Sequence, residues 1–323
     1  MTPQYFIDQV NEWGAAHLPF FFMIDFEMQR PQAFTLSELD ERLIKISFPD
    51  FSNYKTELRS PEVLQLKSKP ISAFEYGKKF QLVARHLAHG DSFLTNLTIK
   101  TPIQSNLSLE QIYALASAPY KLWYKNELVV YSPESFIKIN NGQIFSYPMK
   151  GTIDAAVENA EQKILADKKE LAEHVTIVDL IRNDLSIIAE NVEVTRFRYI
   201  DSIKTREKIL LQVSSEIAGK LPLDYSKRLG SLIWHLLPAG SISGAPKKKT
   251  VEIIKQAEGE ERGYYTGIMG YYDGTNLDSA VMIRCIENNN GELFYRSGGG
   301  ITTQSDCEQE YKEALAKIYV PVV

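Results

Sequence analysis

The chain has 323 residues, of which 44% are hydrophobic and 24% are charged, and its formal net charge is −5 at pH 7. This balance is typical of folded globular proteins and excludes a disordered chain. Because the net charge is negative and the one basic run, residues 247–249, is short, we expect no nucleic-acid partner.

The cysteines and the early apolar runs bear on where the protein works. Cys285 and Cys307 are the only cysteines, too few for a disulfide framework in a chain of this length. The first residues do not show the basic segment and apolar core of a secretory signal. The most apolar early run, residues 18–26, is shorter than the about 20 residues that span a bilayer. We therefore expect a cytoplasmic protein with no membrane partner.

The first predicted elements are a strand and a helix. Residues 20–26 are mostly aromatic or aliphatic and predict a buried strand. Residues 72–89 predict a helix, with apolar positions that include Phe74 and Leu87, and Gly90 marks its C-terminal end.

A series of short strands is predicted next. The β-like runs are "SFLTNLT", "YKLWY", "ELVVYS", "SFIKIN" and "QIFSYP". Asn140, Asn141 and Gly142 separate the last two runs, and Asn and Gly tolerate positive φ, so a hairpin is predicted there.

Residues 157–188 predict one long helical stretch. Apolar side chains recur at steps of three and four residues, as one buried helix face requires, at Ile164, Leu171, Val175, Val178 and Ile181. Strand character returns in "VEVTRFRYI" and "KILLQVSSEIAGKL".

The last third again combines both element types. Helices are predicted over residues 226–237, 246–258 and about 305–318. Strands are predicted in "YYTGIMGYYDG", "LDSAVMIRCIE" and "ELFYRSGG". The strands come in antiparallel groups separated by helical blocks, and no linker interrupts them. We therefore predict an α+β fold: one large domain, residues 1–323, with two mostly antiparallel sheets packed as a sandwich and helices outside.

Two helices carry paired carboxylates. Glu170 and Glu173 lie one turn apart on the long helical stretch, and Glu310 and Glu313 repeat that spacing on the last helix. Each pair alone is explained by a solvated helix face. If the two helices face each other, the carboxylates offer the hard oxygen ligands that Mg²⁺ prefers.

Two further features favour an anion. "SGGGI", residues 297–301, is either a flexible turn or a stretch whose bare amide groups approach a carboxylate or phosphate closely. Arg284 stands in an otherwise apolar run, where an unpaired guanidinium is unfavourable and a planar carboxylate would suit it.

A nucleotide site is not supported. "PAGSISGAPKKKT" resembles a phosphate loop, but that loop requires glycine directly before its lysine, and Pro246 precedes Lys247 here. The exposed amides at the start of the following helix can still bind an anion.

Lys150 lies in "YPMKGT", a predicted turn. A lysine in a surface turn is ordinary, so the local sequence does not decide whether Lys150 has a catalytic role. Eight motifs in order, however, resemble those of the chorismate-utilising enzymes: "SPESF", "PMKGT", "AEHVTIVDLIRNDL", "VSSEIAGKL", "PAGSISGAPK", "YTGIMGY", "LDSAVMIR" and "SGGGI" with "SDCEQEYKEALAK". The resemblance covers residues 118–320, and "PFFFMIDFE" suggests that residues 1–115 are a shortened form of the family's N-terminal part.

The resemblance gives Lys150 a specific meaning. Family members that make anthranilate, isochorismate or salicylate typically have alanine at this position, whereas those that aminate chorismate without losing pyruvate have lysine. The resemblance therefore implies conversion of chorismate and ammonia to 4-amino-4-deoxychorismate, for p-aminobenzoate and folate synthesis. The family alternatives are anthranilate and isochorismate or salicylate formation, and the alternative outside enzymes is a silent chorismate sensor.

The resemblance also assigns roles residue by residue. Lys150 resembles the nucleophile that adds at C2 of the ring, and Glu134 the general acid that protonates the departing C4 hydroxyl. Lys150 could instead act only electrostatically. The implied chorismate contacts are Gly151, Thr152, Gln212, Tyr265, Arg284, Gly298, Gly299 and Gly300. The implied Mg²⁺ ligands are Glu173 and Glu313, with Glu310 in support.

The chemistry sets requirements on these groups. Hydroxide leaves poorly, so Glu134 must be protonated near neutrality, which requires a pKa raised by burial or by nearby carboxylates. Lys150 must lose its proton to act as a nucleophile, and desolvation favours that. Gln212 stands where the family usually has histidine, and a glutamine can hydrogen-bond to substrate but cannot transfer a proton at neutral pH.

The resemblance implies a partner as well. Family members of this kind receive ammonia from a separate glutamine amidotransferase subunit, and neither Cys285 nor Cys307 lies in an amidotransferase nucleophile motif. We therefore expect a glutamine amidotransferase partner, with ammonium as a substitute.

Overall fold

The computed structural model describes residues 1–54, 63–204 and 209–322. Its strands are β1 (Phe20–Ile24), β2 (Gln32–Thr35), β3 (Ile44–Phe48), β4 (Phe51–Ser52), β5 (Leu66–Ser68), β6 (Leu94–Ser105), β7 (Tyr120–Tyr124), β8 (Leu128–Ser132), β9 (Ser135–Asn140), β10 (Gln143–Ser146), β11 (Met149–Asp154), β12 (Glu190–Lys204), β13 (Ile209–Lys220), β14 (Gly244–Ala245), β15 (Ile268–Tyr272), β16 (Leu277–Val281), β17 (Cys285–Asn289) and β18 (Glu292–Ile301).

The α-helices are α1 (Pro3–Ala15), α2 (Ala73–His89), α3 (Leu109–Leu115), α4 (Ala160–Ala166), α5 (Lys168–Ser186), α6 (Leu229–His235), α7 (Gly240–Ser243), α8 (Lys247–Glu258) and α9 (Cys307–Ala316). Within the described ranges, none of these helices combines the length and the apolar character that crossing a bilayer requires.

The strands form two nine-stranded antiparallel sheets, as predicted. Sheet A has the order β11-β13-β10-β9-β16-β15-β1-β2, with β12 also paired to β13. Sheet B has the order β14-β6-β18-β17-β8-β7-β3-β4, with β5 also paired to β6. Neighbours that are distant in sequence, such as β1 and β15, show that each sheet is assembled from both ends of the chain.

The strand β1 explains how the two sheets are packed. Every residue of β1 is buried. Phe20, Phe22 and Ile24 join the core beneath α1, α5 and α6, whereas Phe21 and Met23 join the core that also holds side chains of sheet B. Successive residues of a strand point to opposite faces, so an apolar run without alternation fits a strand covered on both sides.

Several local predictions are confirmed. The Ser72 hydroxyl caps α2 by accepting from the Glu75 amide, and Gly90 ends the helix in the left-handed conformation. The β9–β10 hairpin turns at Asn141 and Gly142, with φ angles of 51° and 76°. Phe74 does not lie on the buried face of α2, because its surface is 72% exposed.

The long helical stretch is two helices rather than one. Asp167 lies between α4 and α5, and its side chain accepts a hydrogen bond from the Glu170 amide, which caps the second helix. Val175 is exposed, and the buried face of α5 instead runs through Ile177, Val178 and Ile181. The apolar spacing continued across the break, so periodicity alone did not reveal it.

The run that contains Arg284 is also interrupted. It forms β16 in sheet A and β17 in sheet B, and Arg284 lies at the crossing between the sheets with a φ of 54°. The prediction that Arg284 lies inside a strand is therefore wrong. The glycines at 298–300 are likewise not a turn but part of β18, paired in register with β6.

A buried arginine connects two helices to a strand of sheet B. Arg262 is 1% exposed, and its guanidinium binds both oxygens of Glu258 at 2.6 and 2.9 Å. It also donates to the carbonyl oxygens of Asn96 (2.7 Å) and Ile242 (3.1 Å). Glu258 in turn accepts from the Thr98 amide at 2.8 Å. This network links α7 and α8 to β6.

Arg262→Met should lower the free energy of unfolding by about 3–5 kcal/mol, because it leaves the buried Glu258 carboxylate without its cation. Urea unfolding followed by circular dichroism measures the change. The double variant Arg262→Met/Glu258→Gln removes the stranded charge and keeps an acceptor for the Thr98 amide, so it should lose less stability than the single variant. An unchanged midpoint in Arg262→Met would contradict this account.

Candidate active site

A cavity of about 430 Å³ opens where the edges of the two sheets meet. Its walls come from β11 and β13 of sheet A, from β6 and β18 of sheet B, and from α5, α7 and α9. All of the site residues predicted from the sequence line this one cavity: Glu134, Lys150, Gly151, Thr152, Glu173, Gln212, Tyr265, Arg284, Gly298, Gly299, Gly300, Glu310 and Glu313.

An irregularity in β11 directs Lys150 into the cavity. The pairing of β11 with β13 shifts between Met149 and Thr152, and Gly151 takes a φ of 80° there. Such bulges turn a side chain away from its regular direction. The Lys150 Nζ lies 3.0 Å from Glu173 Oε2, and the two side chains are 25% and 8% exposed. Lys150 is therefore not a solvated turn residue.

The helix α5 supplies carboxylates from one face. Glu170 and Glu173 both line the cavity, one turn apart. The next residue, His174, is buried and its Nε2 lies 2.6 Å from Ser215 Oγ on β13. Burial lowers the pKa of His174 to about 4, so the imidazole is neutral at pH 7. This neutral contact fixes α5 against sheet A and so fixes the position of Glu173.

The helix α9 supplies the carboxylates on the other side. Glu310 is buried, and Glu313 Oε1 lies 2.7 Å from the Nζ of Lys317. Lys317 also donates to the Gly298 carbonyl oxygen at 2.8 Å. Lys317 is therefore a second lysine of the cavity.

The carboxylates suit Mg²⁺ in chemistry but do not form a ready ligand group. A methyl group placed on Gly299 would lie 3.4 Å from Glu310 Oε2 and 3.5 Å from Glu313 Oε1, so these two oxygens approach one point. Among the described residues, no three His, Cys, Asp or Glu side chains are close enough together to hold an ion. Magnesium binding by Glu173, Glu313 and Glu310 therefore stays a prediction.

Glu134 lies in the segment between β8 and β9. Its Oε1 accepts a hydrogen bond of 2.8 Å from the Ser241 hydroxyl on α7. Burial raises the pKa of Glu134, while this hydrogen bond and the charges of Lys150 and Lys317 act in the opposite direction. The expected direction of the pKa is thus met by burial, and the nearby charges are lysines rather than the carboxylates considered from the sequence.

Arg284 is held by the C-terminal segment. Its Nη1 donates to the Lys317 carbonyl oxygen at 2.7 Å, and its guanidinium lies 4.8 Å from the centre of the Tyr319 ring. The arginine that the sequence left without a partner therefore has a carbonyl oxygen and an aromatic face. The Arg284 side chain also lines the cavity.

Three successive glycines of β18, residues 298–300, line the cavity without side chains. A methyl group on Gly298 would lie 2.1 Å from the Leu97 carbonyl oxygen, so only glycine fits there. A methyl group on Gly300 would lie 3.4 Å from Lys150 Nζ. The three glycines thus leave room for the amine and the carboxylates together.

The other predicted chorismate contacts differ in how exposed they are. Thr152 is opposite Gln212 in the β11–β13 pairing, and it is exposed at the rim, whereas Tyr265 is buried in the wall. The residues that line the cavity and were not predicted include Asn96, Ser241 and Lys317. Only the Glu313–Lys317 spacing gave a signal for any of them, since residues four apart on a helix are neighbours.

Comparison with known proteins places this geometry among related ones. Residues 18–322 match the family model described as chorismate binding enzyme. An uncharacterised PabA-like protein of Pasteurella multocida is 49% identical over 323 residues, which is 100% of both chains. Among solved structures, MenF, the menaquinone-specific isochorismate synthase from Escherichia coli, has a TM-score of 0.73 over 97% of this chain and 80% of that chain. Its 16% identity makes this a likeness of fold alone.

Two longer relatives carry more specific names. Anthranilate synthase component 1 of Acetivibrio thermocellus is 31% identical over 76% of this chain and 52% of that protein. Aminodeoxychorismate synthase component 1 of Bacillus subtilis is 29% identical over 80% of this chain and 57% of that protein. The alignment thus spans little more than half of each of these two relatives. Because the family model matches nearly the whole sequence, the chain belongs to the chorismate binding enzyme family.

Proposed function

We propose that this protein is an aminodeoxychorismate synthase component 1, which converts chorismate and ammonia to 4-amino-4-deoxychorismate. The named relatives include both an anthranilate synthase and an aminodeoxychorismate synthase at similar identity, so the choice between them rests on the site. The observation that carries the proposal is the Lys150 amine, which lines the cavity and lies 3.0 Å from Glu173.

The charges of the cavity support a dicarboxylate substrate. Lys150, Lys317 and Arg284 bring three cationic side chains to one space. A chorismate carboxylate could accept from Arg284, whose fork of N–H groups matches a planar carboxylate. Glu173 and Glu313, with Glu310 in support, would hold Mg²⁺, and the ion would supply the positive charge that offsets the acidic residues near the substrate.

The proposed reaction assigns a bond change to each catalytic side chain. The Lys150 nitrogen forms a bond to C2 of the ring while the C4–O bond breaks, and the proton of Glu134 leaves with that oxygen as water. The lysine nitrogen then gives its extra proton to the Glu134 carboxylate. Ammonia next forms the C4–N bond as the C2–N bond breaks, and a proton passes from the new ammonium group to the departing lysine nitrogen.

The contacts of Lys150 suggest how the amine is prepared. The amine is bound to Glu173 at 3.0 Å, so it must leave this carboxylate before it reaches the ring. Glu173 is the same residue that would bind Mg²⁺, and a cation on Glu173 would remove the partner that holds the ammonium form. Because Glu173 would both hold Lys150 and bind Mg²⁺, binding of the metal ion would release the Lys150 amine.

A glutamine amidotransferase subunit is the proposed source of ammonia. The two longer relatives are named component 1, which implies a second component in those proteins. Ammonium at high concentration should replace the partner in a test. Incubation of the protein with chorismate, ammonium and Mg²⁺, followed by chromatography and mass spectrometry, should give aminodeoxychorismate. Release of pyruvate together with anthranilate would instead assign anthranilate formation. Isochorismate would assign an isomerisation, in which water adds at C2 as the C4 hydroxyl leaves.

Lys150→Ala should slow aminodeoxychorismate formation by about 10²-fold or more, while chorismate still binds, because a group that acts on the reacting atoms is lost. In the unchanged protein, chorismate and Mg²⁺ without ammonium should give a dehydrated adduct on Lys150, located by peptide mass spectrometry. Lys317 is the internal control, since it lines the same cavity and should stay unmodified. Wild-type rates in Lys150→Ala would refute the covalent role.

Ser241→Ala should move the falling limb of the pH–rate profile to higher pH. Glu134 acts as an acid only when protonated, so the rate falls as pH rises through its pKa. Burial raises that pKa and the Ser241 hydrogen bond opposes the rise, so loss of the hydroxyl raises the pKa further. The measurement is kcat against pH at saturating chorismate and ammonium.

The control for this shift is Ser243→Ala on the same short helix, because the Ser243 hydroxyl donates to the Ala239 carbonyl oxygen instead. Ser243→Ala should leave the limb in place. A limb that does not move in Ser241→Ala, or that moves to lower pH, would show that Glu134 is not the titrating acid.

Glu173→Gln and Glu313→Gln should each weaken Mg²⁺ binding by roughly tenfold or more, because an amide is a poorer ligand than a carboxylate. Calorimetric titration with Mg²⁺ in the absence of substrate measures the affinity, and the Mg²⁺ dependence of the rate measures it independently. Glu308→Gln is the matched control on α9, since Glu308 is exposed and paired with Lys312. Equal affinity in all three variants would remove these carboxylates from the metal site.

A further inference from the structure

In the described part of the chain, the wall of the cavity holds a side-chain amide whose oxygen has no hydrogen-bond partner. Asn96, on β6, lines the cavity. Its side-chain oxygen is covered by protein atoms, and among the described residues it has no hydrogen-bond partner. Leaving a buried acceptor unpaired is unfavourable, so such groups in native proteins require an explanation.

The strand register places this amide beside the amine of Lys150. Asn96 lies directly opposite Gly300 in the β6–β18 pairing, and opposite residues of an antiparallel pair project from the same face, about 4.5–5.5 Å apart at Cβ. A methyl group on Gly300 would lie 3.4 Å from Lys150 Nζ and 3.0 Å from a methyl carbon of Leu94. Because Gly300 has no side chain, the Asn96 amide borders the space that the lysine reaches.

Hydrogen bonds hold the main chain of Asn96, whereas among the described residues none holds the oxygen of its side-chain amide. The Asn96 carbonyl oxygen accepts from the buried Arg262 guanidinium at 2.7 Å, and β6 is paired on both sides. A half-turn of the carboxamide exchanges its oxygen and nitrogen. In the described chain such a turn breaks no hydrogen bond to the side-chain oxygen, which can therefore take up a donor without losing a protein partner.

The reactants of the proposed amination need an acceptor of this kind. Ionised chorismate carries several acceptors but a single donor, its hydroxyl, and ammonia carries N–H donors. Among the carboxylates of the cavity, Glu173 and Glu313 already face lysines. A neutral amide oxygen also accepts from ammonia without favouring its protonation, whereas a carboxylate would stabilise ammonium, which has no free electron pair.

We propose that the Asn96 side-chain oxygen binds a reactant, by accepting a hydrogen bond from an uncharged donor that is either ammonia or the hydroxyl of chorismate. This inference rests on the proposed amination. It makes Asn96 part of the binding surface next to Lys150, and it explains why the wall holds an amide oxygen that has no partner among the described residues.

The test is Asn96→Leu, which keeps a similar volume and removes the amide. Three quantities are measured with Mg²⁺ present: the Kd of chorismate without ammonium, the rate of Lys150 adduct formation without ammonium, and the KM of ammonium. The control is Thr101→Val on the same strand, because the Thr101 hydroxyl is also buried without a partner but does not line the cavity. Thr101→Val should leave all three quantities unchanged.

The two donors predict different results. If ammonia is the donor, the KM of ammonium rises roughly tenfold, as expected for one lost hydrogen bond, while chorismate binding and adduct formation stay unchanged. If the hydroxyl is the donor, chorismate binding weakens roughly tenfold and adduct formation slows, while the KM of ammonium stays unchanged. Either result supports the inference and identifies the donor.

Three unchanged quantities in Asn96→Leu would overturn the inference. If Asn96→Leu fails to fold, Asn96→Ala replaces it, and failure of both variants beside a folded Thr101→Val would show a structural role and overturn it as well. Failure of the proposed function is a separate outcome. It would appear in the unchanged protein as absence of aminodeoxychorismate, and the chorismate Kd of Asn96→Leu would still test the hydroxyl.

Discussion

The site depends on a stretch of three glycines in the strand β18, where the backbone carries no side chains. The backbone of β18 at residues 298–300 runs between the α9 carboxylates on one face and Lys150 on the other. At Gly298 the close approach of β6 leaves no space for any larger residue. A side chain at Gly299 would occupy the space beside the α9 carboxylates, and one at Gly300 the space beside the Lys150 amine. The cavity is therefore a consequence of the pairing of β18 with β6. The absence of side chains at residues 298–300 leaves the space in which the amine and the carboxylates lie.

Two lysines of this cavity are each paired with a carboxylate. Lys150 faces Glu173 at 3.0 Å and Lys317 faces Glu313 at 2.7 Å. Charges that are partly withdrawn from water are tolerated when each has a partner. A dicarboxylate substrate disturbs this balance, because it adds negative charge to a space that already holds acids. In the proposed reaction Glu173 and Glu313 would hold a divalent cation whose charge offsets that of the substrate, and Lys150 would then be free to leave Glu173.

The sequence predicted those parts of the fold that short segments determine. The hairpin at Asn141 and Gly142 and the ends of α2 at Ser72 and Gly90 are decided by residues that touch each other along the chain. The break at Asp167 and the crossing between β16 and β17 were missed. Apolar spacing continues through both, and what interrupts them is a helix cap in one case and a change of sheet in the other, which only tertiary pairing reveals.

The residues of the site can also be divided into those that short segments identify and those that only tertiary pairing identifies. Every residue predicted from the motifs lines one cavity, because a motif marks chain segments that the fold brings together. Asn96, Ser241 and Lys317 were not predicted, because their significance lies in partners on other elements or in having none. A slip of β6 by one residue against β18 would turn Asn96 to the opposite face and leave its sequence neighbours unchanged. Strand register, which no single motif records, therefore decides which side chains the reactants can meet.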